Sequence, residues 1–235
     1  MTDPTHAAMA NSFDKAAEVY ERSRPSYPQE AVDWLLDSSP KAVLDLGAGT
    51  GKFTRLLEGR VETIYAVDPS ENMLAQQDAT SVTTIQGTAE NIPLPDNSVD
   101  AVFVAQAWHW VDQAKAVPEI TRVLTKGGTF GLIWNTRDER VPWVLRLSDV
   151  MHTSNAEEFL KDPDVPDGME RAEFEWSKPF DRAELLELVA SRSYFITADD
   201  AEKARVVAGV ENLLDTDPEM DWVMPYRTIV FRMTL

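Results

Sequence analysis

The sequence predicts a doubly wound α/β fold on a mostly parallel sheet. From Ala42 onward short β-type runs alternate with helical patterns, which calls for parallel strands joined by right-handed helical crossovers on both faces of the sheet. The first run, VLDL, stops in a glycine-rich turn, GAGTG, and the second stops on a lone carboxylate, Asp68. In open parallel sheets, turns of this kind line the crevice beyond the carboxyl ends of the strands, where ligands bind.

Each element has its own signal. The first ten residues are expected to be disordered. Between Asn11 and Arg24, the residues Phe13, Ala17, Tyr20 and Arg24 recur at helical spacing and share one face of an amphipathic helix, which Pro25 and Pro28 end. Residues 11–40 therefore read as an N-terminal helical cap. Residues 41–137 supply the strands AVLDL, TIYAV, VTTI, VDAVFVA and TFGLIW, separated by the helical stretches KFTRLLEG, SENMLAQQ and AVPEITRVL. Pro118 sits awkwardly in the last of these and is expected in the first turn of a restarted helix.

After Trp134 the rhythm changes. Residues 138–171 hold a helical piece, DVMHTSNAEEFL, with several prolines and no clear strand, so they read as an insert after the fifth strand. In residues 172–235, AEFEWSKPF and YRTIVFRMTL complete a seven-stranded sheet, with RAELLELVAS and AEKARVVAGVENLL as helices. No internal repeat or long linker divides residues 1–235, so a single domain is expected.

Composition narrows the function. Forty acidic against 22 basic side chains give a formal charge of -18, a field that repels polyanions and makes nucleic acid a poor partner. Without cysteine there is no disulfide, thiolate metal site or cysteine nucleophile, and no metal is expected. No apolar window approaches the roughly 18 residues of a membrane span, and MTDPTHAAMA lacks a basic patch followed by an apolar segment. The expectation is a soluble, cytoplasmic protein with neither a nucleic-acid nor a membrane partner; the oligomeric state is left open.

The glycine spacing is informative about the ligand. Dinucleotide-binding turns read GxGxxG, so that a helix N-terminus can hold a diphosphate. Here the spacing is GxGxG, with Asp45 two residues before Gly47. A carboxylate is a poor companion for phosphate and suits a ligand that carries positive charge, an ammonium or a sulfonium.

Taken together, VLDLGAGTGKFTRLL, YAVDPSENML, GTAENIPLPDNSVDAVFVAQAWHW and EITRVLTKGG resemble the consecutive motifs of the class I S-adenosylmethionine-dependent methyltransferases. The resemblance covers at least residues 41–137, and FDKAAEVYERSRPSYP is similar to the N-terminal cap of the small-molecule branch, which includes ubiquinone-biosynthesis-type and trans-aconitate-type enzymes. It implies a Rossmann-like sheet, S-adenosylmethionine as cofactor, and transfer of its methyl group to an oxygen, nitrogen or carboxylate of a small acceptor. A non-catalytic cofactor-binding module is the alternative, and a nicotinamide-dependent dehydrogenase has weaker support.

The resemblance also assigns residues. Gly47, Ala48, Gly49 and Gly51 would lie against the methionine part and ribose, and Asp45 would hold the cofactor's amino end or tie the turn together. Asp68 would accept from the ribose hydroxyls; capping of the next helix, with Pro69 in its first turn, is the competing role. Met73 falls in the same motif and is assigned to the cofactor. Thr88, Ala89 and Glu90 would meet the adenine, although Thr88 stands where many relatives have an aspartate and Glu90 would serve equally as a surface acid. Ala105 and Gln106 are assigned to the cofactor ammonium.

Above the fourth strand, Trp108, His109 and Trp110 would line the acceptor pocket. His109 is the candidate general base, or else a packed structural histidine. Nucleic-acid amino methyltransferases carry an Asn/Asp-Pro-Pro-aromatic tetrapeptide there, and this chain does not. Trp134, Asn135 and Trp143 are further acceptor-site candidates, Asn135 otherwise serving to turn the chain. Arg137 or Arg140 would orient a carboxylate acceptor. Tyr20 and Arg24, one helical turn apart, would close over the cofactor carboxylate, Arg24 otherwise pairing with a surface acid such as Glu21.

Overall fold

The structure, a computed structural model, describes residues 24–78, 81–151, 158–217 and 219–235. Its strands are β1 (Ala42–Leu46), β2 (Thr63–Asp68), β3 (Val82–Gln86), β4 (Val99–Ala105), β5 (Leu124–Arg137), β6 (Glu170–Pro179) and β7 (Val223–Thr234). They form one seven-stranded sheet in the order β3-β2-β1-β4-β5-β7-β6. From β3 to β5 every neighbouring pair is parallel, as the strand-helix alternation requires. The β5-β7-β6 edge carries the antiparallel pairing. Strand order reverses between β1 and β4, which puts the ends of β1, β2 and β4 around one crevice.

The helices are α1 (Gln29–Leu35), α2 (Thr54–Leu57), α3 (Glu71–Leu74), α4 (Gln113–Val123), α5 (Pro142–Met151), α6 (Arg182–Ala190), α7 (Ser193–Thr197) and α8 (Asp200–Thr216). Among the described residues none is long and apolar enough to cross a membrane. The described residues divide into two compact units, one within residues 26–135, 163–174 and 228–235, the other within residues 24–25, 136–162 and 175–227.

In the first unit, Val43, Leu44 and Leu46 of β1 are fully buried, as an interior strand covered on both faces must be. Phe53, in the turn before α2, packs edge-on against Tyr27 at 5.6 Å and Phe103 at 5.9 Å, joining α1, β4 and the glycine turn in one core. The expected break at Pro118 does not occur: α4 runs unbroken with this proline as its sixth residue. One intrahelical bond is lost, and interactions outside the helix offset it. Ala116, Ile120 and Val123 are fully buried. Glu119 accepts the Ile92 amide at 2.8 Å, and Arg122 donates to the Leu94 and Ile92 carbonyls at 2.8 Å each.

The second unit has its own core, where Trp143, Val144, Leu147 and Met151 of α5 meet Leu185, Leu188 and Val189 of α6 and Val206 and Val210 of α8. Asp181 and Glu184 form a capping box that starts α6, and Asp199 caps α8. Within the insert the helix begins earlier than expected, at Pro142, because proline is preorganised for a first helical position. Of the expected helical piece, residues 152–157 lie outside the described residues, as does the helix expected at 11–24 up to residue 23.

Candidate active site

The turn after β1 is held almost entirely by its own chain. Gly47, Gly49 and Gly51 have φ of +76°, +54° and +84°, the left-handed region that glycine alone enters freely. The Gly47 and Ala48 amides both donate to the Val67 carbonyl, at 2.8 and 3.1 Å. The Gly49 amide donates to Asp68 Oδ2 at 2.9 Å and the Gly51 amide to the Ala48 carbonyl at 3.0 Å. A diphosphate cradle needs such amides aimed outward at the anion, and these four are used internally. The turn therefore offers glycine Cα surface for close contact, together with nearby carboxylates.

A Cβ on Gly47 would stand 2.7 Å from the Ala107 Cβ, so the turns after β1 and β4 meet at backbone distance. Gly47→Ala is expected to destabilise the fold by about 2–4 kcal/mol, combining left-handed strain with a clash that backbone must absorb. Gly49→Ala meets nothing closer than the Met73 Sδ at 3.7 Å and should cost about 1–2 kcal/mol. Urea unfolding of the two variants checks the order.

Two acids sit beneath and beside the turn. Asp45, in register with Ala66 of β2 and Phe103 of β4, is fully buried. Its Oδ2 accepts from Thr54 Oγ1 at 2.6 Å, while Oδ1 is buried with no partner among the described residues. Burial pushes its carboxyl up to about 7; the Thr54 hydrogen bond opposes this and the Asp68 charge adds to it.

Asp68 closes β2 and is also buried, which raises its pKa above the usual carboxylate range against the hydrogen bonds from Ser70 and Gly49. Its Oδ1 accepts the Ser70 amide at 2.9 Å. The competing capping role falls to Ser70, whose side chain accepts from the Met73 amide at the start of α3. Each Asp68 oxygen therefore keeps one lone pair beyond its amide contact, the chemistry a vicinal diol needs. Pro69 is exposed and precedes α3, and Met73 is half-buried within it.

After β3, the Gly87 amide donates to the Asp68 carbonyl at 3.1 Å, and Thr88 bridges to Asn91. Thr88 is exposed and Ala89 buried. Glu90 accepts the Asp112 amide at 2.9 Å, so it anchors the entry to α4. Ala105 ends β4. Gln106 follows in a left-handed conformation, φ +57°, its amide bonded to the Ile133 carbonyl at 2.9 Å and its Nε2 to the Asn135 carbonyl at 3.0 Å.

The aromatic group after β4 divides by burial. Trp108 is fully buried, edge-on to Phe130 at 5.2 Å, with its indole N–H unpartnered among the described residues. Trp110 is 49% exposed and tilted against His109 at 5.0 Å. Burial lowers the His109 pKa to about 4, and its Nδ1 lies 3.5 Å from the Trp134 Nε1. Trp134 is fully buried and packs edge-on against Phe231. Asn135 uses its side chain on its own chain, donating to the Ser26 carbonyl at 2.9 Å and accepting from Thr228 at 2.6 Å.

Of the remaining candidates, Arg24, Arg137, Arg140 and Trp143 belong to the second unit. Tyr20 lies outside the described residues, and Arg24 is half-buried. Arg137 is buried and donates to Ser148 at 3.1 Å. Arg140 grips Asp138 with two bonds, at 2.7 and 2.6 Å, and reaches Glu175 at 2.6 Å. Trp143 stacks on Phe180 inside the helical core, where packing accounts for it. Nothing in the sequence marks Gln77, yet its Nε2 donates to the Gly49 carbonyl at 3.0 Å.

Comparison with known proteins agrees with this geometry. Residues 44–132 match a family model described as a methyltransferase domain. The chain is 46% identical to an uncharacterised methyltransferase of Mycobacterium bovis, over 97% of each protein. Among solved structures, one assigned as a type II methyltransferase from Anaeromyxobacter dehalogenans aligns over 90% of this chain and 97% of its own, with a TM-score of 0.66 at 24% identity. An S-adenosylmethionine-dependent methyltransferase from Thermotoga maritima aligns over 95% and 98%, with a TM-score of 0.54 at 23% identity. At these identities the two structures speak for the fold.

Proposed function

The chain belongs to the class I S-adenosylmethionine-dependent methyltransferases, and from that membership we propose that it methylates a small molecule whose attacking atom is already deprotonated near neutral pH, a carboxylate oxygen foremost. Bound S-adenosylmethionine supplies a sulfonium methyl open to in-line displacement. The protein's part is to hold the acceptor roughly 3–3.5 Å from that carbon and to keep water out. Residues around the glycine turn fit the cofactor: internally used amides, an Asp45 Oδ1 with no partner among the described residues, and Asp68 with acceptor capacity to spare.

The observation that carries the acceptor class is the state of His109. An imidazole held near pKa 4 is neutral at physiological pH and a weak base, two to three pH units below where a general base works best. It is suited to orienting an acceptor. Arg140 is engaged by Asp138 and Glu175, so orientation by that arginine gains no support. The charge of -18 favours small acceptors over nucleic acid.

Calorimetric titration with S-adenosylhomocysteine, followed by labelled-donor turnover against a panel of carboxylic acids, phenols, amines and alcohols, tests the reading. Carboxylates are expected to lead, with turnover at saturating donor flat between about pH 6 and 8 and retained in His109→Asn within about tenfold. Turnover confined to alcohols, with a titration near pH 6.5 that His109→Asn removes, would overturn it.

A further inference from the structure

We infer that Gln77 is a positioning residue for the cofactor, setting the conformation of Gly49 from the side that Asp68 does not reach. The inference rests on the reading of the glycine turn as the cofactor cradle. Asp68 takes the amide of Gly49 at 2.9 Å, and Gln77 donates its Nε2 to the carbonyl of the same residue at 3.0 Å. Those two atoms belong to the peptide units on either side of the Gly49 Cα. Together the two side chains fix both torsions of a residue that has no side chain of its own to restrict them.

Three further observations centre on the same amide. A Cβ on Gly51 would stand 3.0 Å from the Gln77 Cδ and Cγ, so this side chain also covers the next glycine. Gln77 is held in place by its backbone, whose amide donates to the Leu74 carbonyl at 3.1 Å. Its Oε1 is buried with no partner among the described residues. A buried acceptor left unmade disfavours the free state, and a hydrogen-bond donor brought by the ligand would satisfy it. The neighbouring Thr50 carbonyl is bonded to Arg55 at 3.1 Å, so both carbonyls at the tip of the turn are tied from outside.

If Gln77 only filled space, a side chain of equal length and no polarity would replace it. The test compares Gln77→Met and Gln77→Glu with the wild type, reading the dissociation constant of S-adenosylhomocysteine by calorimetry and the unfolding midpoint of the ligand-free protein. Gln77→Met is expected to weaken binding about tenfold with little change in midpoint. Gln77→Glu should weaken it further, because a carboxylate has no N–H for the Gly49 carbonyl and repels it. Wild-type affinity in Gln77→Met, or a loss of affinity matched by a comparable loss of ligand-free stability, would overturn the positioning role. Failure of the wild type itself to bind would instead remove the cradle reading, and this inference with it.

Discussion

Asp68→Ala is expected to raise the dissociation constant for S-adenosylhomocysteine by at least about 100-fold, the largest binding loss of any single substitution in the crevice. Two hydrogen bonds from a diol to an ionised acceptor are each worth about 1.5–3 kcal/mol, and alanine removes both. It also releases the Gly49 amide, so the turn loses the contact that orients it. Asp68→Asn should fall between, about tenfold, since one amide oxygen remains to accept while the other position becomes a donor. Burial raises the Asp68 pKa, so binding that needs its ionised form should weaken, as pH falls, sooner than an ordinary carboxylate would predict. Calorimetry across pH on the three proteins checks both the ranking and the acid limb; an alanine variant that binds like the wild type would remove Asp68 from the site.

How far this site was legible in the sequence depends on whether a residue's partners lie near it in the chain. The strand-helix rhythm reports burial on both sheet faces, a local pattern, so β1 to β4 fall where their apolar runs lie. The places of Asp45, the glycines and Asp68 at the ends of β1 and β2 are legible because motif spacing encodes where a strand stops. β5 extends to 14 residues, well beyond TFGLIW, because it gains strand partners that its own composition does not announce. Pro118 reads as a break because local rules count the lost backbone bond and have no sight of Arg122 gripping the 92–94 carbonyls. Glu90 and Asn135 read as ligand contacts, and their described hydrogen bonds are to Asp112, Ser26 and Thr228, at separations of 22 residues and more. Gln77 carries no sequence signal, since its meaning comes from a glycine carbonyl 28 residues upstream.

Asp45→Asn is expected to do two opposite things, to strengthen the fold at neutral pH and to weaken binding of the cationic donor. The stability effect follows from the proton. Burial lifts this carboxyl from 3.8 to about 7, so between those values the folded chain holds a proton that the unfolded chain has released. A carboxyl raised in this way makes the wild type lose stability as pH climbs from about 4 to about 7, after which the loss is constant. Asparagine never ionises, so its advantage is absent below pH 4, grows through that window and is full at pH 8. A shift of this size corresponds to a few kcal/mol, or roughly 5–10 °C in unfolding midpoint for a chain of this length. The exchange is sterically conservative: the amide oxygen still accepts from Thr54, and the amide nitrogen takes the place of the oxygen that has no described partner. The binding effect follows from charge, because a carboxylate kept at this cost of stability is matched to a ligand that is positive. Both ligands keep the amino-acid ammonium, so both should lose affinity, S-adenosylmethionine by about tenfold or more because its sulfonium adds a second positive charge, and S-adenosylhomocysteine by less. Thermal unfolding from pH 4 to 8 and paired titrations with the two ligands read both effects on one variant. A destabilised Asp45→Asn at pH 8, or unchanged affinity for both ligands, would show that Asp45 braces the turn and does not answer the charge of the donor.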